Sequence, residues 1–315
     1  MDLRADGGAH CGSSLPLRVR SPVMSLRTVA QMIRERALPN GGFTGRGGGE
    51  YMLDATAWAI IALNDSGSDG DVISPARSRL AVDQLDDGRV SISPEHPEGL
   101  WTTPLAILAW QGASLYREQQ TRAIRFLLGT TGRHYKKSSD SPLGHDPAFR
   151  GWPWIVNTHS MVEPTATSIL ALKVAGYERH DRVREAVRML LDRQLRQGGW
   201  NYGNTTVYGK ELRPFPDTTG LALNALSGLA PRDEIRRSLE YLEARMKEVR
   251  TPRSLGWGIL GLQAWGIKSP ESLRWINETL NRQKIIGSYD TCSLSLLLLA
   301  NLGNGNPLMI HGSDG

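Results

Sequence analysis

Three acidic residues stand in similar company. Asp54-Ala55-Thr56-Ala57, Glu163-Pro164-Thr165-Ala166 and Asp217-Thr218-Thr219 each open an Ala/Leu-rich run. A carboxyl in that position can do two kinds of work. As a helix cap it accepts backbone N–H bonds at the positive end of the helix dipole, and both effects lower its pKa. As a general acid it must keep its proton near neutral pH, which calls for burial or clustered carboxyls. Such a cluster can arise here only in space, from Glu163, Asp217 and Asp54 meeting at one mouth of the fold. His159, four residues before Glu163, stands where it could hydrogen-bond to that acid and orient its proton; a satisfied loop histidine is the alternative.

Aromatic side chains supply the second chemical theme. The chain holds 9 Trp, 8 Tyr and 4 Phe, and many precede the apolar runs. Trp152, Trp154, Phe215, Trp257, Tyr289 and Trp101 are the candidate substrate-binding wall, with Tyr51 nearby in the same pattern. Rings around a hollow stabilise cations through their π faces and exclude water. They would equally line a pocket for an apolar ligand. Trp58 and Trp110, inside the runs, are expected to pack in the core. Gly45-Arg46-Gly47-Gly48-Gly49-Glu50 lacks the Lys-Ser/Thr of a phosphate loop and is expected to be a flexible rim.

Composition bounds the rest. Of 315 residues, 40% are hydrophobic and 22% charged, enough for a sizeable core. The net charge of +5, from 37 Lys plus Arg against 32 Asp plus Glu, is a mild basic bias. Nucleic-acid binding would need a concentrated patch, and the densest run, Arg133 to Lys137, falls in an expected loop. Two cysteines, Cys11 and Cys292, give no disulfide framework and point to a reducing, cytoplasmic compartment. No apolar run suits a signal peptide or a transmembrane helix, and peripheral contact with a membrane stays open. Residues 1–23 are expected to be a disordered extension, with Met24 a candidate start, 24–303 one domain, and 304–315 a flexible tail.

These residues are positioned by a repeat: an outer amphipathic helix, a glycine-aromatic turn, a loop, an acid or hydroxyl, then an apolar helix. The plainest copy runs from Ala186 to Gln194, through Gln197-Gly198-Gly199-Trp200, to the helix that follows Asp217. Six copies predict about twelve helices. Val183, Ala186, Leu190 and Leu191 form the apolar stripe of one outer helix. The second helix of each pair is apolar nearly all round and must be buried. Polar outer helices alternating with apolar inner ones predict two concentric rings, with closure favoured over an open solenoid. Asp54, Thr103, Glu163, Asp217, Ser254 and Asp290 are the expected N-caps, with Pro104 and Pro164 at the first helical position. Gly67, Gly112, Gly176, Gly228, Gly266 and Gly303 are the expected stops.

Gln194-x-x-Gln197-Gly198-Gly199-Trp200 resembles the glutamine-tryptophan repeat of squalene-hopene cyclases, and residues 25–303 resemble the terpene-cyclase and prenyltransferase β-subunit toroid. That resemblance implies an all-α fold, an α/α toroid (α6/α6 barrel) of about six hairpins, with Trp200 as scaffold. Class II cyclases of this family protonate an alkene or epoxide with the middle carboxyl of Asp-x-Asp-Asp-Thr-Ala. Met161-Val162-Glu163-Pro164-Thr165-Ala166 keeps the central acid and the Thr-Ala but has Met and Pro at the flanking acids. Phe215-Pro216-Asp217-Thr218-Thr219 is similar to an Asp-x-Asp-Thr-Thr variant with Phe215 in place of the first acid. Asp54 keeps only the acid and the Thr-Ala.

The resemblance therefore implies protonation-initiated cyclisation of an isoprenoid. Glu163 or Asp217 would be the acid, His159 its partner, and Trp154, Phe215 and Trp257 the cation-stabilising wall. It implies no metal cofactor, with Mg entering only if the substrate is a diphosphate, and pairing with a second toroid as homodimer or partner domain. Asp290-Thr291-Cys292 echoes the zinc-binding Asp-x-Cys of prenyltransferases, but it lies in the last repeat, where that family would place its distant His, and His311 falls in the tail; an N-cap beside a buried cysteine is the plainer reading. The same residues would also suit a lipid- or peptide-binding toroid without catalysis, or a glycan-processing enzyme using Glu163 and Asp217.

Overall fold

The computed structural model describes residues 26–65, 70–93, 95–139, 141–302 and 308. Among them lie thirteen α-helices: α1 (Leu26–Arg34), α2 (Leu53–Asp65), α3 (Gly70–Val82), α4 (Thr102–Ala109), α5 (Arg117–Gly129), α6 (Val162–Val174), α7 (Asp181–Asp192), α8 (Pro216–Leu226), α9 (Arg232–Met246), α10 (Pro252–Gln263), α11 (Ser272–Asn281), the single turn α12 (Gln283–Ile286) and α13 (Thr291–Leu302). A two-residue hairpin, β1 (Thr206–Val207) with β2 (Lys210–Glu211), decorates the loop before α8. Helices α2, α4, α6, α8, α10 and α13 pack each on the next, and α13 packs back on α2. That last contact closes the ring and distinguishes a toroid from a solenoid. The remaining long helices lie outside it, as the alternating pattern predicts. Every residue of α4 is buried, whereas α7 buries Val183, Ala186 and Leu190 and turns Arg184 and Arg188 outward.

The inner helices are held in register by threonine. Thr56 Oγ1 accepts the Phe43 N–H at 2.8 Å, Thr165 Oγ1 that of Trp152 at 2.9 Å, and Thr219 Oγ1 that of Trp200 at 3.0 Å. Each lies within reach of the same residue's carbonyl at 3.3–3.4 Å. Thr103 does the same for the Val90 N–H at 3.1 Å. Each threonine thus ties the start of an inner helix to the turn leaving the preceding outer helix. Gly151 and Gly199 allow the approach, since an added Cβ would stand 2.3 Å from Thr165 Oγ1 or 2.9 Å from Thr219 Oγ1. The turn's tryptophans are fastened from the other side. The Trp152 indole N–H donates to Leu127 O at 2.9 Å and that of Trp200 to Leu190 O at 2.7 Å. Gln194 reaches Ser238 Oγ on α9 at 2.7 Å, so the glutamine-tryptophan segment joins neighbouring outer helices through the turn.

Most helix starts differ from expectation by two or three residues. Asp54, Thr103, Glu163 and Asp217 are second residues of their helices rather than caps, and Ser254 is the third residue of α10. Pro104 and Pro164 are third, where an absent N–H is still harmless because the first turn has no internal acceptor for it. Asp290 does cap α13, accepting the Ser293 N–H at 2.8 Å. Gly112, Gly176, Gly228 and Gly266 end their helices with left-handed φ of 74°, 84°, 75° and 76°. Gly67, Gly303, Cys11, His311 and residues 1–23 lie outside the described residues. The expected tail is represented by Leu308 alone, which is buried beside Ile60, Ile61 and Leu108 at the far end of the ring.

One buried cation serves the fold. Lys173 on α6 donates to the carbonyls of Asn224 at 3.1 Å and Ser227 at 3.0 Å, satisfying the C-terminal end of α8. Burial drops its pKa from 10.5 to about 8. Between those values the unfolded chain keeps a proton that the folded chain has lost, so this residue's contribution to stability grows as pH rises through that window. Relative to Lys173→Met, the native protein should gain about 3 kcal/mol of stability from pH 8 to 10.5, read by urea unfolding; a constant difference would refute it. Separately, Thr219→Val should leave the Trp200 N–H unpaired and cost about 1–3 kcal/mol, with Thr219→Ser largely restoring it in thermal unfolding.

Candidate functional site

Where a threonine clamp fixes an inner helix, as in α2, α4, α6 and α8, the residue two before the threonine faces the mouth of the ring. Those residues are Asp54, Trp101, Glu163 and Asp217, and the corresponding second residues of α10 and α13 are Arg253 and Cys292. One helical turn deeper stand Trp58, Leu105, Thr167, Leu221, Trp257 and Leu296. Apart from Asp217, all twelve line one hollow of about 240 Å³, together with Trp154, Pro164 and Asp290. The hollow is therefore one turn deep and has an acidic rim above a tryptophan and leucine wall. Two tryptophan pairs meet edge to face within it, Trp58 with Trp257 at 5.5 Å and Trp101 with Trp154 at 5.8 Å between ring centroids. The loop Gly45–Met52 borders an adjoining cleft of about 630 Å³ that shares Asp54, Asp290 and Cys292 with the hollow.

Glu163 and Asp217 meet, as expected, but through a residue that lies in none of the three acidic segments. Arg253 Nη2 bonds Glu163 Oε1, and its Nε lies 3.5 Å from Asp217 Oδ2. Desolvation pushes the Glu163 carboxyl above its ordinary range, against the pull of Arg253 and with help from the Asp217 charge. The Arg253 pKa is raised: burial works against its charge, and Glu163 and Asp217 outweigh that. Alignment of the repeats could have found Arg253, since it occupies in the fifth repeat the place that Asp54, Glu163 and Asp217 hold in three of the others.

Asp54 lies on the other side of the repeat order. Its Oδ1 accepts the Ala55 N–H at 2.8 Å, its Oδ2 lies 3.6 Å from Cys292 Sγ, and it forms no ion pair among the described residues. The Cys292 thiol is pushed well above its ordinary range by burial, then by the charges of Asp54 and Asp290, so it stays protonated and donates. Among the described residues, no three His, Cys, Asp or Glu side chains group as metal ligands would. Asp290-Thr291-Cys292 is thus an N-cap beside a thiol that lines the hollow.

Other candidates fall outside. His159 is exposed, sits edge-on to Tyr135 at 5.8 Å and pairs in a bridge with Arg133; it makes no bond to Glu163. Its four-residue spacing carries no contact because the segment before Glu163 is extended, not helical. Trp152 is a buried scaffold ring under the Arg182 guanidinium, 4.0 Å from its centroid. Phe215 is 38% exposed and packs on Tyr202. Tyr289 is buried and donates to Thr279 O at 2.9 Å. Trp58, expected in the core, lines the hollow instead, because the inner face of a ring helix is both core and cavity wall.

No family model matches the chain, and no curated protein matches it. Solved structures do resemble it. A variant of the type II terpene cyclase MstE from Scytonema, in complex with geranylgeranyl dihydroxybenzoate (substrate), aligns with TM-score 0.58 at 12% identity over 90% of this chain and 97% of that one. A protein from Actinoplanes aligns with TM-score 0.56 at 16% identity over 84% and 83%. The ent-copalyl diphosphate synthase of Streptomyces platensis aligns with TM-score 0.50 at 14% identity over 81% of this chain and 50% of its own. The fold is a terpene-cyclase-like toroid.

Arg253 is the neighbour that lowers the Glu163 pKa, against burial and the Asp217 charge. Arg253→Met should therefore move that pKa further up in ¹³C-carboxyl NMR of labelled Glu. An unchanged titration would mean that the ion pair does not form in solution.

Proposed function

We propose that the chain is an isoprenoid cyclase that works by protonation-initiated cyclisation, with Glu163 as general acid. The observation that carries the reading is the placement of a carboxyl with a raised pKa in a hollow walled by four tryptophans. Burial keeps a fraction of Glu163 protonated at a pH where a free glutamate would be ionised, as a proton donor to an alkene requires. Arg253 and Asp217 fix its orientation and share the charge left on the carboxylate after transfer. Trp58, Trp257, Trp101 and Trp154 offer π faces to the developing carbocation and keep water from quenching it. The structural neighbour bound to geranylgeranyl dihydroxybenzoate supports the substrate class.

The reading includes a hydrophobic small-molecule substrate, no resident metal cofactor, and a second toroid or partner domain beside the mouth. No helix among the described residues is long and apolar enough to cross a membrane.

The test is incubation of the purified protein with linear prenyl diphosphates, squalene and prenylated aromatics, followed by mass spectrometry. Cyclised products should appear, and Glu163→Gln should lower their rate by at least about 10²-fold. Because the acid form is the active one, turnover should be full at low pH and fall as pH rises through the raised Glu163 pKa. Products that persist in Glu163→Gln would overturn the assignment.

A further inference from the structure

The hollow holds more acidic than basic groups. Even with Glu163 in its acid form, Asp54 and Asp290 line it and Asp217 stands at its edge, against the one guanidinium of Arg253 in the lining. Arg36, behind α13, offsets part of the Asp290 charge while donating to Tyr289 O at 2.7 Å and Thr291 Oγ1 at 3.1 Å. Asp54 has no cation partner among the described residues; a thiol S–H is its neighbour inside the hollow. The positive ends of the inner helices add partial charges of opposite sign, but each of Asp54, Glu163 and Asp217 sits in the first turn of its own helix and answers that end directly. An anionic head group would have to displace these carboxylates.

The walls and size point the same way. Two near-perpendicular tryptophan pairs, at 78° and 68°, bound the space. Trp58, Trp101, Trp154 and Trp257 line the hollow under an acidic rim, and aromatic faces beside a counter-charge are how proteins hold substituted ammonium groups. At about 240 Å³ the hollow falls below the ~300–1,000 Å³ typical of drug-sized ligand sites, so it suits a compact head group.

We infer that the hollow is a cation cage whose ligand presents a substituted ammonium group, and that diphosphates are not its substrates. The inference rests on the same hollow as the proposed cyclase and narrows its substrate class. Its own test reads binding and needs no turnover.

The probes are choline, its neutral carbon isostere 3,3-dimethylbutan-1-ol, and geranyl diphosphate in metal-free buffer, titrated by tryptophan fluorescence and calorimetry. Choline should bind about tenfold or more tightly than the isostere, and more tightly than geranyl diphosphate. Asp54→Asn and Trp257→Leu should each weaken choline about fivefold or more, with circular dichroism confirming that both variants fold. Equal affinity for choline and its isostere, tighter binding of the diphosphate, or no binding of choline would overturn the inference. So would undiminished choline binding by Asp54→Asn. Cyclised products alongside any of those results would leave the cyclase reading standing and remove only this one; selective choline binding without products would do the reverse.

Discussion

The bond between an inner-helix threonine and the turn before it governs the rest of the structure. Each hydroxyl engages both polar groups of one backbone residue, accepting from Phe43, Trp152 or Trp200 N–H with the carbonyl of the same residue in reach. A buried turn with neither group paired would be costly, so the helix has one rotation and one height at which it can sit. Once that rotation is fixed, the residue two earlier faces the mouth whatever its chemistry. The four clamped helices therefore present Asp54, Trp101, Glu163 and Asp217 at the rim as a consequence of assembly, and the packing of α10 and α13 into the ring adds Arg253 and Cys292. Acid, tryptophan, arginine and thiol occupy interchangeable places.

That separation of scaffold from rim explains how far the sequence could be read. The repeat, the alternation of amphipathic and apolar helices and the glycine stops carried the toroid, because burial and backbone pairing leave plain periodic marks. The Thr-Ala of Glu163-Pro164-Thr165-Ala166 is the clamp followed by a small packing residue, so its likeness to a catalytic motif is partly a likeness of scaffold. The acid before it is legible as rim-facing. Its partner Arg253 is legible as rim-facing by its place in the repeat, but the pairing is not, since the two lie 90 residues apart and meet only in the folded ring. His159 misled through helical spacing in an extended segment. Trp152 and Phe215 stand before inner helices, yet a strand-like approach sends one inward beneath Arg182 and the other out to solvent.

The electrostatics of the mouth are a contest that neither side wins outright. Burial raises Glu163 and Cys292, while Arg253 pulls both toward their charged forms. Water would relax these demands, but the tryptophan wall limits it. For Glu163 burial favours the acid form while Arg253 favours the anion, which suits the proposed role of giving up a proton and recovering it. A lone acid at a helix N-terminus would lack that property, because the dipole and backbone N–H groups would hold it ionised.

Depth follows from how closely the inner helices approach. A Cβ on Gly220 would stand 2.2 Å from Trp257 O, and one on Gly261 2.4 Å from Gly220 O, so α8 and α10 touch backbone to backbone. Such contact narrows the ring, and bulky side chains below Trp58 and Trp257 then fill it, with Leu308 closing the far end. A linear isoprenoid cannot be enclosed in a chamber of about 240 Å³. On the proposed reading its reacting end would enter the hollow and the rest would lie in the adjoining cleft beside Gly45–Met52, which shares Asp54, Asp290 and Cys292 with it. The tail would then be selected by the rim loop and the chemistry by the hollow. The glycines of that loop leave open space around Gly47 and Gly48, so its shape can follow the ligand at little steric cost.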